Sequence, residues 1–180
     1  LSAEAMLQVA DSLREACSPV DPQQHLILLP LAVLLDNLGA ITALLNGASI
    51  SVPTDTGLQG AQINPARLLT VLNQSQPHSL ILVPQLLHGL LQAADAGAPL
   101  PRSLRFIAVG GGRVAPSLLE RAAKHGLPVF EGYGLSECAS VVSLNRPGQN
   151  RPGTVGQPLP HVQIRLAEDG EIMVRGARAL

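Results

Sequence analysis

The stretch SLILVPQLLHGLLQAADAGAPLPRSLRFIAVGGGRVAPSLLERAAKHGLPVF, residues 79–130, decides the fold. Ser79 to Val83 is a short apolar run that reads as a buried strand. Pro84 then begins a helix with Leu86, Leu87, Leu90 and Leu91 on one face, fading into the turn-rich Asp95 to Pro101. Leu104 to Val109 is the next strand and runs into Gly110, Gly111 and Gly112. Pro116 opens a second helix with Leu118, Leu119, Ala122 and Ala123 predicted inward, and Gly126 sits at its C-terminal end. Leu127 to Phe130 completes a third strand. Strand, helix, strand, helix in this order predicts an α/β fold, a largely parallel sheet with helices on both faces.

The same texture extends toward the N-terminus. Ala3 to Ala16 is rich in helix formers, with Ser2 as N-cap, Glu4 in the first turn and Pro19 as the stop. His25 to Leu29 reads as a buried strand closed by Pro30. Leu34, Leu35, Leu38, Ile41, Leu44 and Leu45 then follow a helical period up to Gly47, and Ala48 to Val52 is a short strand. Pro53 to Gln62 reads as a loop, and Asn64 with Pro65 starts a helix through Asn73. Toward the C-terminus the texture changes. Pro147 to Pro160 is rich in Pro and Gly, and Val162 to Leu166 and Glu171 to Val174 are joined by a turn at Glu168, Asp169 and Gly170, which reads as a hairpin. Residues 1–146 are expected to form an α/β body, and residues 147–180 the start of a small β-rich subdomain.

Composition narrows the function classes. Twelve basic and thirteen acidic residues leave a net charge of −1, which provides no electrostatic footprint for nucleic acid or anionic lipid. Aromatics at 2% are too few for base-stacking platforms. Cys17 and Cys138 lie far apart without metal-ligand spacing and read as free thiols of a cytoplasmic protein. The most apolar run, Leu26 to Leu35, is too short to be a transmembrane segment. Charged residues at 14% suggest a surface normally covered by further protein, or a natural apolar interaction face.

Ligands of open parallel sheets bind outside the carboxyl ends of the strands. Two loops occupy that position. Gly110 to Arg113 follows the strand ending at Val109, and three glycines without Cβ atoms let a flat ring lie against the backbone; a tight turn needing positive φ is the plainer reading. EGYGLSEC, Glu131 to Cys138, follows the next strand. Tyr133, the one tyrosine in the chain, offers a ring for stacking, Ser136 a hydroxyl for phosphate oxygens and Glu137 a hard carboxylate for a magnesium ion. A capped short helix with Glu131 and Glu137 simply solvated would look the same.

EGYGLSE resembles the Tyr-Gly-x-Thr/Ser-Glu signature of the adenylate-forming (AMP-binding) superfamily, which includes acyl-CoA synthetases, peptide-synthetase adenylation domains and luciferases. Further stretches resemble its landmarks in order: LLPLAVLLDNLGAITALLNGASI, LILVPQLLHGLL, RFIAVGGGRVAPSLL and PGTVGQPLPHVQIRLAEDGEIMVRG. The resemblance implies that Gly111, Gly112 and Arg113 border the adenine of ATP, with Glu131 and Tyr133 beside it. It implies that Gly132 and Gly134 keep the loop open around the ring, that Ser136 bonds the phosphates and that Glu137 binds Mg2+. The implied activity is an acyl-CoA synthetase that makes an acyl-adenylate from a carboxylic acid, most simply a medium- or long-chain fatty acid, and passes it to coenzyme A. An adenylation domain loading a carrier protein and a non-catalytic nucleotide-binding scaffold module are the alternatives.

Three positions depart from the family pattern. Val33 stands where many relatives have His, Arg113 replaces the usual Pro, and Glu131 stands where Gln or Asn is common. Nothing resembles the family's phosphate loop ending in Pro-Lys-Gly, and its ribose-binding Thr-Gly-Asp, hinge and catalytic lysine are expected beyond Leu180. The chain therefore reads as an internal piece, missing the remainder of its own polypeptide and catalytically silent alone.

Overall fold

A computed structural model describes residues 2–59 and 62–176 of the chain. In chain order its elements are α1 (Ala3–Cys17), β1 (Gln24–Leu26), α2 (Leu34–Leu45), β2 (Ser49–Ser51), β3 (Leu58–Gln59), β4 (Gln62–Ile63), α3 (Pro65–Ser75), β5 (Ser79–Leu82), α4 (Pro84–Asp95), β6 (Phe106–Val109), α5 (Pro116–Lys124), β7 (Val129–Tyr133), β8 (Ser143–Leu144), β9 (Gln157–Pro158), β10 (Val162–Leu166) and β11 (Ile172–Gly176). The helix starts follow the local signals. Ser2 accepts from the Ala5 N–H at the head of α1, and Asn64 accepts from the Arg67 N–H with Pro65 opening α3.

The main sheet has seven strands in the order β2-β1-β5-β6-β7-β8-β9. All pairings from β2 through β7 are parallel, and β8 and β9 extend the sheet antiparallel. This is the largely parallel sheet expected from residues 79–130. Its antiparallel margin was not foreseen, because two-residue strands are too short to show an alternating pattern. For the same reason the segment expected as a plain loop contains the small β3–β4 pairing.

Successive residues of a strand face opposite sides, and each side has its own core. Leu80, Leu82, Ile107 and Val109 pack with Leu68, Leu72, Leu87, Leu90, Leu91 and Leu119 beneath α3, α4 and α5. Phe106 and Phe130 face the other way, toward Val9 and Leu13 of α1 and Leu38 of α2. Their rings stack at 4.7 Å between centroids. Full burial of each large apolar side chain stabilises the fold by about 1.5–3 kcal/mol, so these two layers supply most of the driving force.

Helix α2 departs from the predicted face. Its buried residues are Asp36, Leu38, Gly39, Thr42 and Ala43, whereas Leu44 and Leu45 are 64% and 45% exposed. The cause is polar. Asp36 Oδ2 accepts the backbone N–H groups of Leu28 and Leu29 at 3.0 and 2.7 Å, which turns the aspartate inward and the C-terminal leucines outward. The same bonds withdraw those N–H groups from the sheet, so β1 ends at Leu26 rather than Leu29. In α5, Ala123 is exposed, because the buried stripe of this short helix is only Leu118, Leu119 and Ala122.

The predicted C-terminal hairpin is β10 paired antiparallel with β11, a two-stranded sheet of its own. Val162 enters the second core. Among the described residues no helix is long and apolar enough to cross a membrane.

Candidate functional site

Strands β5, β6 and β7 finish at the same edge of the sheet. Parallel pairing sets Leu82 beside Val109, and Val109 beside Glu131. The backbone leaving β6 and the end of β7 then touch: a Cβ on Gly110 would stand 3.4 Å from the Gly132 carbonyl oxygen. The two predicted loops therefore lie side by side at the carboxyl ends of the strands. Gly111 takes φ +76°, the left-handed turn that carries the chain toward α5.

Two cavities adjoin at this edge. Gly111, Gly112, Arg113, Glu131, Gly132, Tyr133 and Gly134 all line one of about 550 Å³, which Gly153 and Val155 help to close. That volume is within the range of small-molecule and cofactor sites, roughly 300–1,000 Å³. The second cavity, of about 330 Å³, is apolar, with Leu13, Val33, Leu35, Ile81, Ala108 and Val141 in its wall. Gly111, Gly132, Tyr133 and Gly134 border both cavities, and Ser136 borders the apolar one. Glu137 borders neither and is exposed on the short 3-10 turn Ser136–Cys138.

Glu131 is buried rather than solvated, at 8% exposure. Its Oε2 accepts the Gly153 N–H at 2.9 Å. Burial pushes its carboxyl above the usual range, and the Gly153 bond pulls the other way. The loop carrying Gly153 is held by Asn145, itself 1% exposed. Asn145 Nδ2 donates to the carbonyls of Thr154 at 2.6 Å and Glu131 at 3.3 Å, and its Oδ1 accepts from the Arg151 N–H at 2.8 Å. Sequence reasoning missed Asn145 and Gly153 as site-building residues. The available signals were a polar residue closing an apolar run and the PGTVG stretch, residues 152–156.

The glycines beside Tyr133 are also required by close backbone packing. A Cβ on Gly132 would come within 3.0 Å of Leu144 Cδ1 and 3.1 Å of the Ser143 carbonyl oxygen, and one on Gly134 would overlap the Ser140 carbonyl oxygen. They are glycines because the returning backbone of 140–144 lies directly on them. Ala139 and Ser140 in that return are left-handed, with φ 54° and 81°. Such strain costs of order 1–3 kcal/mol per residue and concentrates at functional loops.

Among the described residues no group of three His, Cys, Asp or Glu side chains forms a metal cage. Both thiols are unsuited to chemistry. Burial pushes Cys17 up to about 12, and Cys138 is raised by burial and by the neighbouring Glu137 charge.

The family model described as AMP-binding enzyme matches residues 1–179. A 2-succinylbenzoate–CoA ligase of Staphylococcus aureus is 29% identical over 126 residues, 66% of this chain and 25% of the relative. The Bacillus subtilis O-succinylbenzoate coenzyme A synthetase MenE, solved in complex with ATP and magnesium ion, superposes with a TM-score of 0.75 at 23% identity, over 97% of this chain and 38% of that one. The amide bond synthetase Mcba from Marinactinospora thermotolerans reaches a TM-score of 0.81 at 23% identity, over 99% of this chain and 38% of that one. At that identity the two structures speak for the fold alone. The chain spans a quarter of the length of the curated relative it matches.

Proposed function

This chain belongs to the AMP-binding enzyme family, and from that premise we propose that it is part of an AMP-forming acid–thiol ligase. A carboxylate oxygen of the acid bonds to the α-phosphorus of ATP, pyrophosphate leaves, and the sulfur of coenzyme A then displaces AMP from the acyl-adenylate. The observation that carries the reading is the pair of cavities sharing one wall. The seven residues expected around the nucleotide line one cavity, and an apolar space for an acid adjoins it along Gly111, Gly132, Tyr133 and Gly134.

Adenylation builds charge on the phosphates, so fixed donors and a cation contribute most. Gly111, Gly112 and Arg113 border the adenine on one side, and Glu131 and Tyr133 on the other. The exposed Ser136 hydroxyl donates to a phosphate oxygen. Glu137 would hold Mg2+, which would neutralise phosphate charge. Arg113, with no acidic partner among the described residues, adds positive charge at the cavity mouth.

The apolar cavity favours an acid with an apolar body, a fatty chain or an aromatic ring. A fatty acid was the expectation from sequence; the curated relatives are instead named for 2-succinylbenzoate. Coenzyme A is the acceptor those names support. Two buried free thiols fit a cytoplasmic setting. We read residues 1–146 as the α/β part and 147–180 as the opening of a β-rich one. The β10–β11 sheet supports that division, although β9 completes the main sheet across it.

The test is pyrophosphate exchange by the full-length parent with octanoate, palmitate and 2-succinylbenzoate, followed by thioester formation with coenzyme A or a carrier protein. Glu137→Ala should lower exchange and raise the magnesium needed for it; normal exchange across a magnesium titration would remove Glu137 from the metal role. No exchange with any acid would sink the ligase reading. The 180-residue chain alone should bind Mg-ATP weakly in calorimetry, and low-micromolar binding would overturn that expectation.

A further inference from the structure

Three buried polar side chains lie outside the proposed chemistry. Ser79 on β5, His25 on β1 and Asp36 on α2 are 7%, 3% and 0% exposed. His25 Nδ1 and Ser79 Oγ are 3.0 Å apart, and His25 Nε2 stands 3.7 Å from Asp36 Oδ1. These are the residue types of a nucleophilic triad without its arrangement. The serine hydroxyl is enclosed, and the His–Asp gap is too long for a hydrogen bond. What Asp36 does hold is backbone, the N–H groups of Leu28 and Leu29.

Asp36 is the third residue of α2, a position from which a carboxylate usually serves its own helix. The N-cap Val33 has no side-chain cap, and Asp36 reaches back to the end of the preceding strand instead. Two hydrogen bonds pin the start of the turn between β1 and α2. Asn37 pins its far end by donating to the carbonyls of Leu31 and Val33. That turn delivers Val33, Leu34 and Leu35 to the wall of the apolar cavity. The brace is tightly packed from the side: a Cβ on Gly39 would lie 2.8 Å from His25 Nε2 and 2.7 Å from Ile81 Cδ1.

We propose that Asp36 is a positioning residue for the acid substrate, holding the 27–33 turn so that Val33 to Leu35 form one wall of the acid pocket. The inference rests on reading the apolar cavity as the acid site. Asp36 itself lines neither that cavity nor the one assigned to the nucleotide.

Pyrophosphate exchange by the full-length parent tests it, with KM for the acid and for ATP measured separately. The probe is octanoate or 2-succinylbenzoate, whichever the wild type activates. Asp36→Ala should raise the acid KM about tenfold or more and leave the ATP KM within about twofold, because Val33 to Leu35 line the apolar cavity and not the nucleotide one. Asp36→Asn keeps an oxygen for both N–H groups and turns an amide toward His25, so it should restore the acid KM to within about threefold. Gly39→Ala disturbs the brace without deleting a hydrogen bond and should shift the acid KM in the same direction, which keeps the test if Asp36→Ala does not fold. An unchanged acid KM in a folded Asp36→Ala or in Gly39→Ala, or acid and ATP KM rising together, would overturn the proposal. Wild-type protein that exchanges with no acid overturns the ligase reading instead.

Discussion

Replacing Asn145 by alanine should loosen the loop that closes the larger cavity. The side chain is 1% exposed and makes three hydrogen bonds: to Thr154 and Glu131 as donor, and from Arg151 as acceptor. The Glu131 carbonyl keeps a second donor, the Asn145 backbone N–H at 2.8 Å, so that bond contributes least. The bonds to Thr154 and Arg151 are short, at 2.6 and 2.8 Å, and each contributes about 1 kcal/mol net, with a further cost for any partner left dry. The expected loss is about 2–3 kcal/mol, a fall in Tm of roughly 5–10 °C for a chain of this size. A urea titration followed by circular dichroism measures it, and the slope should stay constant while the midpoint moves. Asn145→Asp sharpens the test. It keeps the acceptor for Arg151 but sets an oxygen against two carbonyls, so it should be at least as damaging at neutral pH. A loss below about 0.5 kcal/mol for Asn145→Ala would mean that the loop stands without this anchor, and the reasoning would be wrong.

Gly134→Ala should cost about 1–3 kcal/mol or prevent folding, because its Cβ overlaps the Ser140 carbonyl oxygen; a wild-type urea midpoint would contradict the close approach. His161 is held below the usual histidine range by burial, partly offset by the nearby Val141 backbone. The unfolded chain therefore takes up the proton first, so this contribution is present above about pH 6.5 and is lost as the pH falls through the lower folded value. His161→Gln should flatten part of the Tm decline between about pH 7 and about pH 5, leaving a remainder from His78, which burial and Arg105 shift in the same direction. Identical Tm slopes in the two proteins would rule His161 out. Neither Cys17 nor Cys138 should react with a disulfide reagent at neutral pH until the chain is unfolded, and prompt labelling of the native protein would contradict their burial.

Much of the architecture was legible in local patterns. Ser2, Asn64 with Pro65, Pro84 and Pro116 mark helix starts through bonds and φ preferences that reach only a few residues along the chain. The apolar runs of β5 and β6 announce a sheet buried on both faces, and the glycines after β6 and around Tyr133 announce its ligand edge. Family landmarks in sequence order named seven residues that line the larger cavity, together with Ser136 and Glu137, which do not line it.

What the tertiary structure decided depends on partners that are remote in sequence. The leucines of α2 carry a valid helical period, yet the helix turns Asp36 inward because two N–H groups, seven and eight residues back, take its carboxylate. Nothing local in the sequence separates a buried Glu131 from a solvated one; Gly153, 22 residues on, closes over it. Leu13 of α1 belongs to a cavity otherwise built from residues 33–144. Ser12 and His161 meet across 149 residues, joining the first helix to the segment that enters β10. Hydrophobic period and capping chemistry act over one or two turns of chain and say which side of an element prefers burial. Which polar group is buried, and which glycine is compressed, depends on the backbone that later folds against it, and that neighbour is specified only when the whole sheet is assembled.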